Sequence, residues 1–249
     1  MLLAIDIGNS KIKCALFVED EIVNTSSSRN FSEIISFIKK NEFDDIAICS
    51  VVPHKLKRIQ KFLKKKQGLN PFIVNKDSAF NLRLNYKTPE TLGMDRICSA
   101  EGAYFFQKQK EFKENQIILS IDFGTATTIN IIRFPNTFAG GLIAPGVGTM
   151  FKSLHNKTAQ LPKVNFSDYK SFVGFDTVSS IASGVTNSVI GLIERTHNYF
   201  SNEEKIEEQF VYITGGFAKP VMPLLKGKIF LDDSLVLKGI NQIYKKNKT

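Results

Sequence analysis

The sequence predicts an α/β protein made of two similar lobes, each a mixed sheet flanked by helices. Two observations lead to this fold class. An apolar run that ends in Asp-x-Gly occurs near the start of the chain, at Asp6, and again near its middle, at Asp122. Strand-like and helical hydrophobic patterns alternate after each copy. Because the two aspartates are 116 residues apart (122 minus 6) in a chain of 249 residues, we place the lobes at residues 1–115 and 116–249.

The first lobe is predicted to alternate strands and helices after its Asp-x-Gly turn. Short runs rich in Ile and Leu are typical of buried strands, and apolar residues three and four positions apart are typical of an amphipathic helix. In chain order we expect strands over 11–18 and 22–23 joined by a hairpin turn, a helix over 31–41, a strand over 46–52, a helix over 54–66 and a strand over 72–75. This order implies a mixed sheet with helices against it.

The second lobe is predicted to repeat the plan. In chain order we expect paired strands over 117–122 and 128–133, a segment rich in Gly and Pro over 140–148, a helix over 177–200, a strand over 210–214 followed by a Gly-Gly turn, and a helix over 235–244. Between the lobes, residues 77–93 have an irregular, polar pattern and residues 95–107 have a helical one.

The composition is that of an ordinary globular protein, with 43% hydrophobic and 23% charged residues. Its apolar stretches are far shorter than the roughly 20 residues of a membrane helix, so we expect a cytoplasmic protein with no membrane partner. Three cysteines, Cys14, Cys49 and Cys98, lie in apolar surroundings without a CxxC spacing. This pattern favours reduced core thiols over a metal site.

The formal net charge of +9 is concentrated in two places. One is the basic stretch Lys55, Lys57, Arg58, Lys61, Lys64, Lys65 and Lys66, and the other is Lys245, Lys246 and Lys248. A basic patch can bind nucleic acid or attract anionic substrates. Aromatic residues do not alternate regularly with these lysines as a single-strand binder needs, which favours a solvated helix face and a frayed tail. We therefore expect no nucleic-acid partner.

The first Asp-x-Gly turn has the composition of a phosphate-binding loop, and we call Asp6-Ile7-Gly8-Asn9-Ser10-Lys11-Ile12-Lys13 the first loop. Its glycine lets the chain reverse with backbone amides exposed, and such amides bind phosphate oxygens. Asn9 and Ser10 add side-chain donors, and Asp6 can hold Mg²⁺ directly or through water. Lys11 and Lys13 lie on one face of a strand, where neutralising a phosphate and solvating the strand edge are equally good interpretations.

The second turn continues as Asp122-Phe123-Gly124-Thr125-Ala126-Thr127-Thr128, which we call the second loop. A run of hydroxyl groups after a glycine turn has little structural purpose in a core. A third turn, at Gly215 and Gly216, would let a flat adenine lie against the backbone, although a plain strand-to-helix turn explains it equally well. The GxxxxGK[ST] loop is absent, so carboxylates and hydroxyl groups would have to handle magnesium and phosphate.

Asp95 and Arg96 follow Gly93 at a predicted helix start, and two interpretations fit them. Asp95 can be a helix cap with Arg96 as its solvated neighbour. Alternatively, Asp95 takes the proton from an acceptor hydroxyl while Arg96 binds a carboxylate of the same small molecule through two hydrogen bonds.

These motifs together resemble the type III pantothenate kinases, members of the sugar kinase, Hsc70 and actin superfamily, and the resemblance spans nearly the whole chain. The motifs that carry it are the first loop, Ser50-Val51-Val52-Pro53, Pro89-Glu90-x-Leu92-Gly93-x-Asp95-Arg96, the second loop, Gly140 to Gly146, Thr158-Ala159-x-Leu161-Pro162, Asp176-Thr177 with Ser183-Gly184, Thr214-Gly215-Gly216, and Leu235-x-Leu237-x-Gly239. The resemblance implies two ribonuclease-H-like lobes related as in the duplicated actin-like ATPases.

The resemblance also implies a reaction: transfer of the ATP γ-phosphoryl group to the primary hydroxyl of pantothenate, which gives 4'-phosphopantothenate in the first step of coenzyme A synthesis. By the same resemblance Asp95 is the proton acceptor, ATP contacts the residues of the first loop and Thr125, and Asp122 holds a monovalent cation, K⁺ or NH₄⁺. Magnesium accompanies ATP, and the protein is a homodimer. The residues around pantothenate are Tyr86, Gly93, Met94, Asp95, Arg96 and Thr177.

Two other functions are compatible with parts of the sequence. A nucleotide-dependent clamp or regulator on the same fold would use ATP hydrolysis to drive lobe closure, but it would need no acceptor site such as residues 86–96 provide. A nucleic-acid-binding transcription regulator would rest on net charge alone and lacks a docking helix motif.

Overall fold

The computed structural model describes residues 1–67 and 70–248. The strands in these ranges are β1 (Leu2–Ile7), β2 (Ile12–Val18), β3 (Glu21–Ser28), β4 (Asp45–Ser50), β5 (Phe72–Ile73), β6 (Arg83–Leu84), β7 (Gln116–Phe123), β8 (Ala126–Arg133), β9 (Thr137–Pro145), β10 (Glu208–Thr214) and β11 (Lys228–Leu231). The α-helices are α1 (Phe31–Lys40), α2 (Pro53–Gln67), α3 (Met94–Lys108), α4 (Val147–Lys157), α5 (Thr177–Asn198), α6 (Ala218–Val221) and α7 (Leu235–Asn247).

The chain divides into two compact units. Unit 1 contains Met1–Phe112, Asn130–Gly140 and Ser234–Thr249, and unit 2 contains Lys113–Ile129 and Gly141–Asp233. Unit 1 thus includes two segments from later in the chain. The last of them contains α7, which packs against α3, β1 and β4. The division into related lobes after residue 115 stays a prediction.

Unit 1 is built on a mixed sheet with the strand order β3-β2-β1-β4-β5. β1 runs antiparallel to β2 and parallel to β4, so Asp6 lies opposite Lys13 on one side and opposite Cys49 on the other. Apolar side chains of the central strands form a continuous core with α1 and α2. The helices contribute Ile34 from α1 and Ile59 and Leu63 from α2, which are fully buried. Burial of these side chains supplies the driving force that holds both helices on the sheet.

α7 fixes α3 within unit 1. The two helices approach closely at Gly239, where any Cβ atom would overlap the backbone carbonyl of Cys98. At its other end α7 is tied to the β2–β3 turn, since Lys245 Nζ lies 2.7 Å from Asp20 Oδ1 and Asn241 Nδ2 donates to Glu19 O at 2.8 Å. These contacts hold the helix whose first turn carries Asp95 and Arg96.

The second sheet has the strand order β11-β10-β7-β8-β9-β6, and the boundary between the units passes through β8 and β9. Within unit 2, β10 runs parallel to both β7 and β11. Asp122 at the end of β7 therefore lies opposite Thr214 at the end of β10. Carboxyl ends of adjacent parallel strands meet at one edge of a sheet, which brings the second loop next to the Gly215 turn.

Most predicted elements are confirmed, with shifts of a few residues at their ends. The Gly- and Pro-rich segment 140–148 is different, because it continues β9 and then begins α4, an element that the sequence did not predict. β6 and β11 were also missed. β6 and β11 are short and are held by pairing with strands distant in the chain, which local composition does not reveal.

The three cysteines are buried and form no disulfide among the described residues, which confirms the prediction of reduced core thiols. Burial raises the pKa of Cys14 to about 12. Within residues 1–67 and 70–248, no helix is both long and apolar enough to cross a membrane.

Candidate active site

The first loop forms the tight turn of the β1–β2 hairpin. Gly8 N donates to Lys11 O at 3.1 Å, and Asn9, Ser10 and Lys11 are exposed. Two carbonyl groups of this turn are bound by a lysine from α2, since Lys55 Nζ lies 3.1 Å from Gly8 O and 2.8 Å from Asn9 O. A cation thus offsets carbonyl dipoles that would otherwise repel an anion at this turn.

Asp6 and Asp95 lie in the same region of unit 1. The pKa of Cys49 is raised by its hydrogen bond with Cys98, by burial, and further by the charges of both aspartates. Both carboxylates therefore lie within electrostatic range of one buried thiol, on the β4 residue that pairs with Asp6. The end of β1 and the start of α3 converge at this point.

Asp95 is the second residue of α3 and does not cap it. The cap position is Gly93, and Asp95 Oδ1 accepts from the N–H of Arg96 at 2.9 Å. A Cβ atom at Gly93 would lie 2.5 Å from Asp95 Oδ1, so glycine is needed there for the carboxylate to keep its position. Burial raises the pKa of Asp95, and the Arg96 N–H and charge partly oppose this.

Arg96 is not a solvated neighbour of Asp95. Its side chain is 6% exposed and lies near two aromatic rings, with the guanidinium carbon 5.9 Å from the centroid of Tyr86 and 5.7 Å from that of Phe138. Arg96 Nε donates to Asn130 Oδ1 at 2.7 Å. Within the described part of the chain, Arg96 Nη2 is buried without a hydrogen-bond partner. The sequence alternative that placed Arg96 in solvent is wrong.

In unit 2, the second loop is held by the start of α4. Gly146 N and Thr149 Oγ1 both donate to Thr125 O, at 3.0 and 2.6 Å. Gly124 N closes the turn by donating to Ala126 O at 3.1 Å. These three hydrogen bonds hold the backbone of the turn, and the Thr125 side chain on it is exposed.

Gly215 lies against the second loop with φ +99°, a conformation that side chains disfavour. A Cβ atom there would also overlap Asp122 Oδ1 and the backbone of Phe123. Thr177, the remaining predicted residue of unit 2, is exposed at the first position of α5. Its helix is capped by Asp176, whose side chain accepts from Ser179 N at 2.9 Å.

The carboxylates fit a hard cation that is bound together with a phosphate group. Among the described residues, no group of three or more His, Cys, Asp and Glu side chains could hold a metal ion without other ligands. A single carboxylate such as Asp6 suits Mg²⁺, which usually keeps several waters and takes one or two protein carboxylates plus substrate phosphates.

The family is shown by the comparison of sequences. A family model described as type III pantothenate kinase matches residues 2–198. The chain is also 32% identical over 260 residues to the type III pantothenate kinase of Agathobacter rectalis, covering 99% of this chain and 97% of that protein. The chain belongs to the type III pantothenate kinase family. Members of this family are ATP-dependent kinases that phosphorylate pantothenate in coenzyme A biosynthesis and use a divalent ion such as Mg²⁺.

Solved structures show the same fold. A Campylobacter jejuni protein described as a Baf family transcriptional activator superposes with a TM-score of 0.62 at 22% identity, covering 99% of this chain and 98% of that one. A Listeria monocytogenes protein described as an N-acetylmannosamine kinase superposes with a TM-score of 0.52 at 13% identity, covering 100% and 99%. At these identities the likeness concerns fold alone, and it confirms the predicted actin-like sugar kinase fold.

In this pantothenate kinase family member, unit 1 carries the first loop and residues 86–96, and unit 2 carries Asp122, Thr125 and Thr177. Sequence reasoning missed Lys55, Asn130, Phe138 and Thr149. Lys55 was grouped with a solvated basic face, which holds for exposed Lys57 and Arg58 but is wrong for Lys55. The sequence could have pointed to Asn130, because it is the single amide side chain between apolar residues of β8.

Proposed function

We propose that this chain phosphorylates the primary hydroxyl of pantothenate with Asp95 as the proton acceptor and Arg96 as the ligand of the pantothenate carboxylate. The observation that carries this proposal is the proximity of a partly buried carboxylate to a buried guanidinium whose Nη2 has no protein partner among the described residues. Buried donors in native proteins are almost always satisfied, so an unpaired one points to a ligand.

Arg96 suits a carboxylate ligand better than a lysine would. Its planar fork can donate two parallel hydrogen bonds to two oxygens, and the rings of Tyr86 and Phe138 restrict its movement. The same tight surroundings exclude water, which strengthens an ion pair with an incoming carboxylate. Tyr86, Gly93 and Met94 adjoin this group in unit 1 and would complete the contacts with pantothenate, to which Thr177 is proposed to contribute.

Asp95 would orient the acceptor hydroxyl and take its proton. Phosphoryl transfer proceeds through a loose transition state, so positioning and charge neutralisation contribute more than strong base catalysis. A carboxylate with an ordinary pKa near 3.9 is a weak base, and burial moves the pKa of Asp95 upward, toward the operating range. Hydroxyl deprotonation would then occur late in the transfer.

The phosphates of ATP would be bound by the first loop, from Asp6 through Ile7, Gly8, Asn9, Ser10, Lys11, Ile12 and Lys13, and by Thr125. Lys55 supports this role by binding the Gly8 and Asn9 carbonyls. When bound, Mg²⁺ neutralises phosphate charge, and Asp6 would hold it directly or through water. Asp122 would hold K⁺ or NH₄⁺. We further propose a homodimer located in the cytoplasm.

The test is a coupled assay of ADP release with MgATP, K⁺ and pantothenate. We expect pantothenate-dependent turnover in the wild type and a loss of at least 100-fold in Asp95→Asn, which keeps its affinity for nucleotide. Asp77→Asn, an exposed aspartate paired with Lys76, is the control and should behave as wild type. ADP release of the same size without pantothenate would instead indicate a nucleotide-dependent clamp.

The pH profile tests Asp95 separately. Since Asp95 must be ionised to accept a proton and its pKa is raised, kcat/KM should fall on the acid side at a higher pH than an ordinary aspartate would give. The ionised, buried carboxylate also costs stability at neutral pH, and this cost disappears as the pH falls through the pKa of the folded state. Asp95→Asn should therefore have the higher Tm at neutral pH, and the difference should shrink in acid.

A further inference from the structure

Asn130 is a buried amide with no role in the reaction as described above. It lies on the part of β8 that belongs to unit 1, and its side chain is fully buried. Its chain neighbours are Ile129 and Ile131. A polar side chain at such a position costs stability unless its hydrogen bonds are made, so its presence requires an explanation.

The bond to Arg96 determines how the amide is oriented. Arg96 Nε can only donate, so the amide atom 2.7 Å away must be the oxygen, Oδ1, and Nδ2 must point elsewhere. Among the described residues Nδ2 has no acceptor, and neither has Arg96 Nη2. Two donors of this buried pair are therefore left for an acceptor outside the described protein groups.

The acceptor that Asn130 offers is neutral, and this matters for the charge of Arg96. A neutral oxygen fixes the guanidinium plane without cancelling its positive charge. The carboxylate of Asp95 interacts electrostatically with Arg96, and Asp95 Oδ1 is engaged by the Arg96 backbone N–H. The guanidinium is thus held at Nε on one edge, while Nη2 stays available to an anion.

We infer that Asn130 is a positioning residue: its Oδ1 binds Arg96 Nε and holds the guanidinium so that Nη2 is presented to the substrate carboxylate. This inference rests on the role proposed for Arg96. Tyr86 and Phe138 restrict the guanidinium sideways, whereas Asn130 sets its rotation about the side-chain axis. Asn130 itself need not touch the substrate.

The test compares Asn130→Leu with Asn130→Asp. Leucine is close in volume but has no acceptor, whereas aspartate keeps an oxygen that can bind Nε. We expect Asn130→Leu to raise the KM for pantothenate at least tenfold, with the KM for ATP within threefold of wild type, because a hydrogen bond to a charged group is lost. Asn130→Asp keeps an oxygen for Nε but adds a negative charge, so it should also raise the KM for pantothenate at least tenfold, because the charge of Arg96 is then cancelled.

The selectivity between an acid and its amide separates positioning from general damage. With the primary amide of pantothenate, which has no carboxylate, the Asn130→Leu change should be threefold or less. Thr137→Val is the matched control, because Thr137 Oγ1 accepts from the guanidinium of Arg83 at 3.3 Å elsewhere in unit 1. That variant should leave both KM values unchanged.

Three results would overturn the inference: an unchanged KM for pantothenate in Asn130→Leu, equal losses with the acid and the amide, or a wild-type KM in Asn130→Asp, which would show that the charge left on Arg96 plays no part. If circular dichroism shows that Asn130→Leu does not fold, Asn130→Ala replaces it, since alanine removes the acceptor without adding branched bulk. The same expectations then apply.

Arg96→Met distinguishes the inference about Asn130 from the proposal that Arg96 binds the pantothenate carboxylate. If Arg96→Met leaves the KM for pantothenate unchanged, the role proposed for Arg96 fails. If Arg96→Met raises this KM and Asn130→Leu does not, the inference about Asn130 alone fails. If the proposal and the inference both hold, the double variant should have the same KM for pantothenate as Arg96→Met, because the two residues act as one unit.

Discussion

The two loops share the Asp-x-Gly motif but are supported in different ways. The first loop is held by a charged side chain, since Lys55 Nζ binds the carbonyls of Gly8 and Asn9. The second is held by neutral groups at the start of α4, which bind the carbonyl of Thr125. The two loops thus differ in the charge of their support, which is a lysine beside the first loop and backbone and hydroxyl groups beside the second.

The largest expected effect comes from exchanging the two aspartates for asparagine one at a time. Each variant should lose at least 100-fold in turnover, but by different routes. Asp122→Asn should lose the difference between K⁺ and Na⁺, and Asp6→Asn should keep that difference while requiring more Mg²⁺ for half-maximal activity. Titrations of each ion in the coupled assay measure this, and identical ion profiles for the two variants would contradict a division of roles.

Gly215→Ala should have the next largest effect, and it acts on the second loop alone. A methyl group there would be strained at φ +99° and would overlap Asp122 Oδ1. We expect a cost of about 2 kcal/mol or more and a fall in Tm of about 4 to 8 °C, measured by thermal unfolding. Gly216→Ala is the control, because no heavy atom lies within 4 Å of its added Cβ. Equal Tm values for the two variants would show that the Gly215 contact is unimportant.

Lys55→Met should act on the first loop, with a smaller effect. Removal of the cation should raise the KM for ATP by about tenfold, corresponding to roughly 1.4 kcal/mol, and leave the KM for pantothenate unchanged. Lys57→Met removes the same charge from an exposed position of α2 and should change the KM for ATP less than twofold. If both variants weaken ATP equally, net charge and not support of the loop is responsible.

Thr149→Val should have the smallest effect of the four. It removes one neutral hydrogen bond to Thr125 O, while the bond from Gly146 N remains. We expect the KM for ATP to rise about twofold to fivefold. Raising the ionic strength should reduce the effect of Lys55→Met but not that of Thr149→Val, because salt screens the contribution of a partly exposed charge. A salt-independent Lys55 effect would argue against the charged support.

Much of the fold could be predicted because its signals are local. Strands β1, β4 and β7 are short apolar runs, and α1 and α3 show helical spacing of apolar residues. β9 was missed because its glycines and proline suggest a turn, whereas in the sheet it lies between β8 and β6, and its pairing with β6 joins Arg83 to Thr137. Pairing over that distance leaves little trace in local composition.

The sequence by itself determined the family, the two loops and the Asp95–Arg96 pair, because these are runs of consecutive residues whose chemistry is visible in their order. The tertiary structure alone decided which side chains support them. Lys55 reaches the first loop across 46 positions of chain, and Asn130 reaches Arg96 across 34. Hydrogen bonds of this kind depend on how strands and helices are packed, so a lone asparagine in β8 becomes the support of an arginine only once the fold brings the two together.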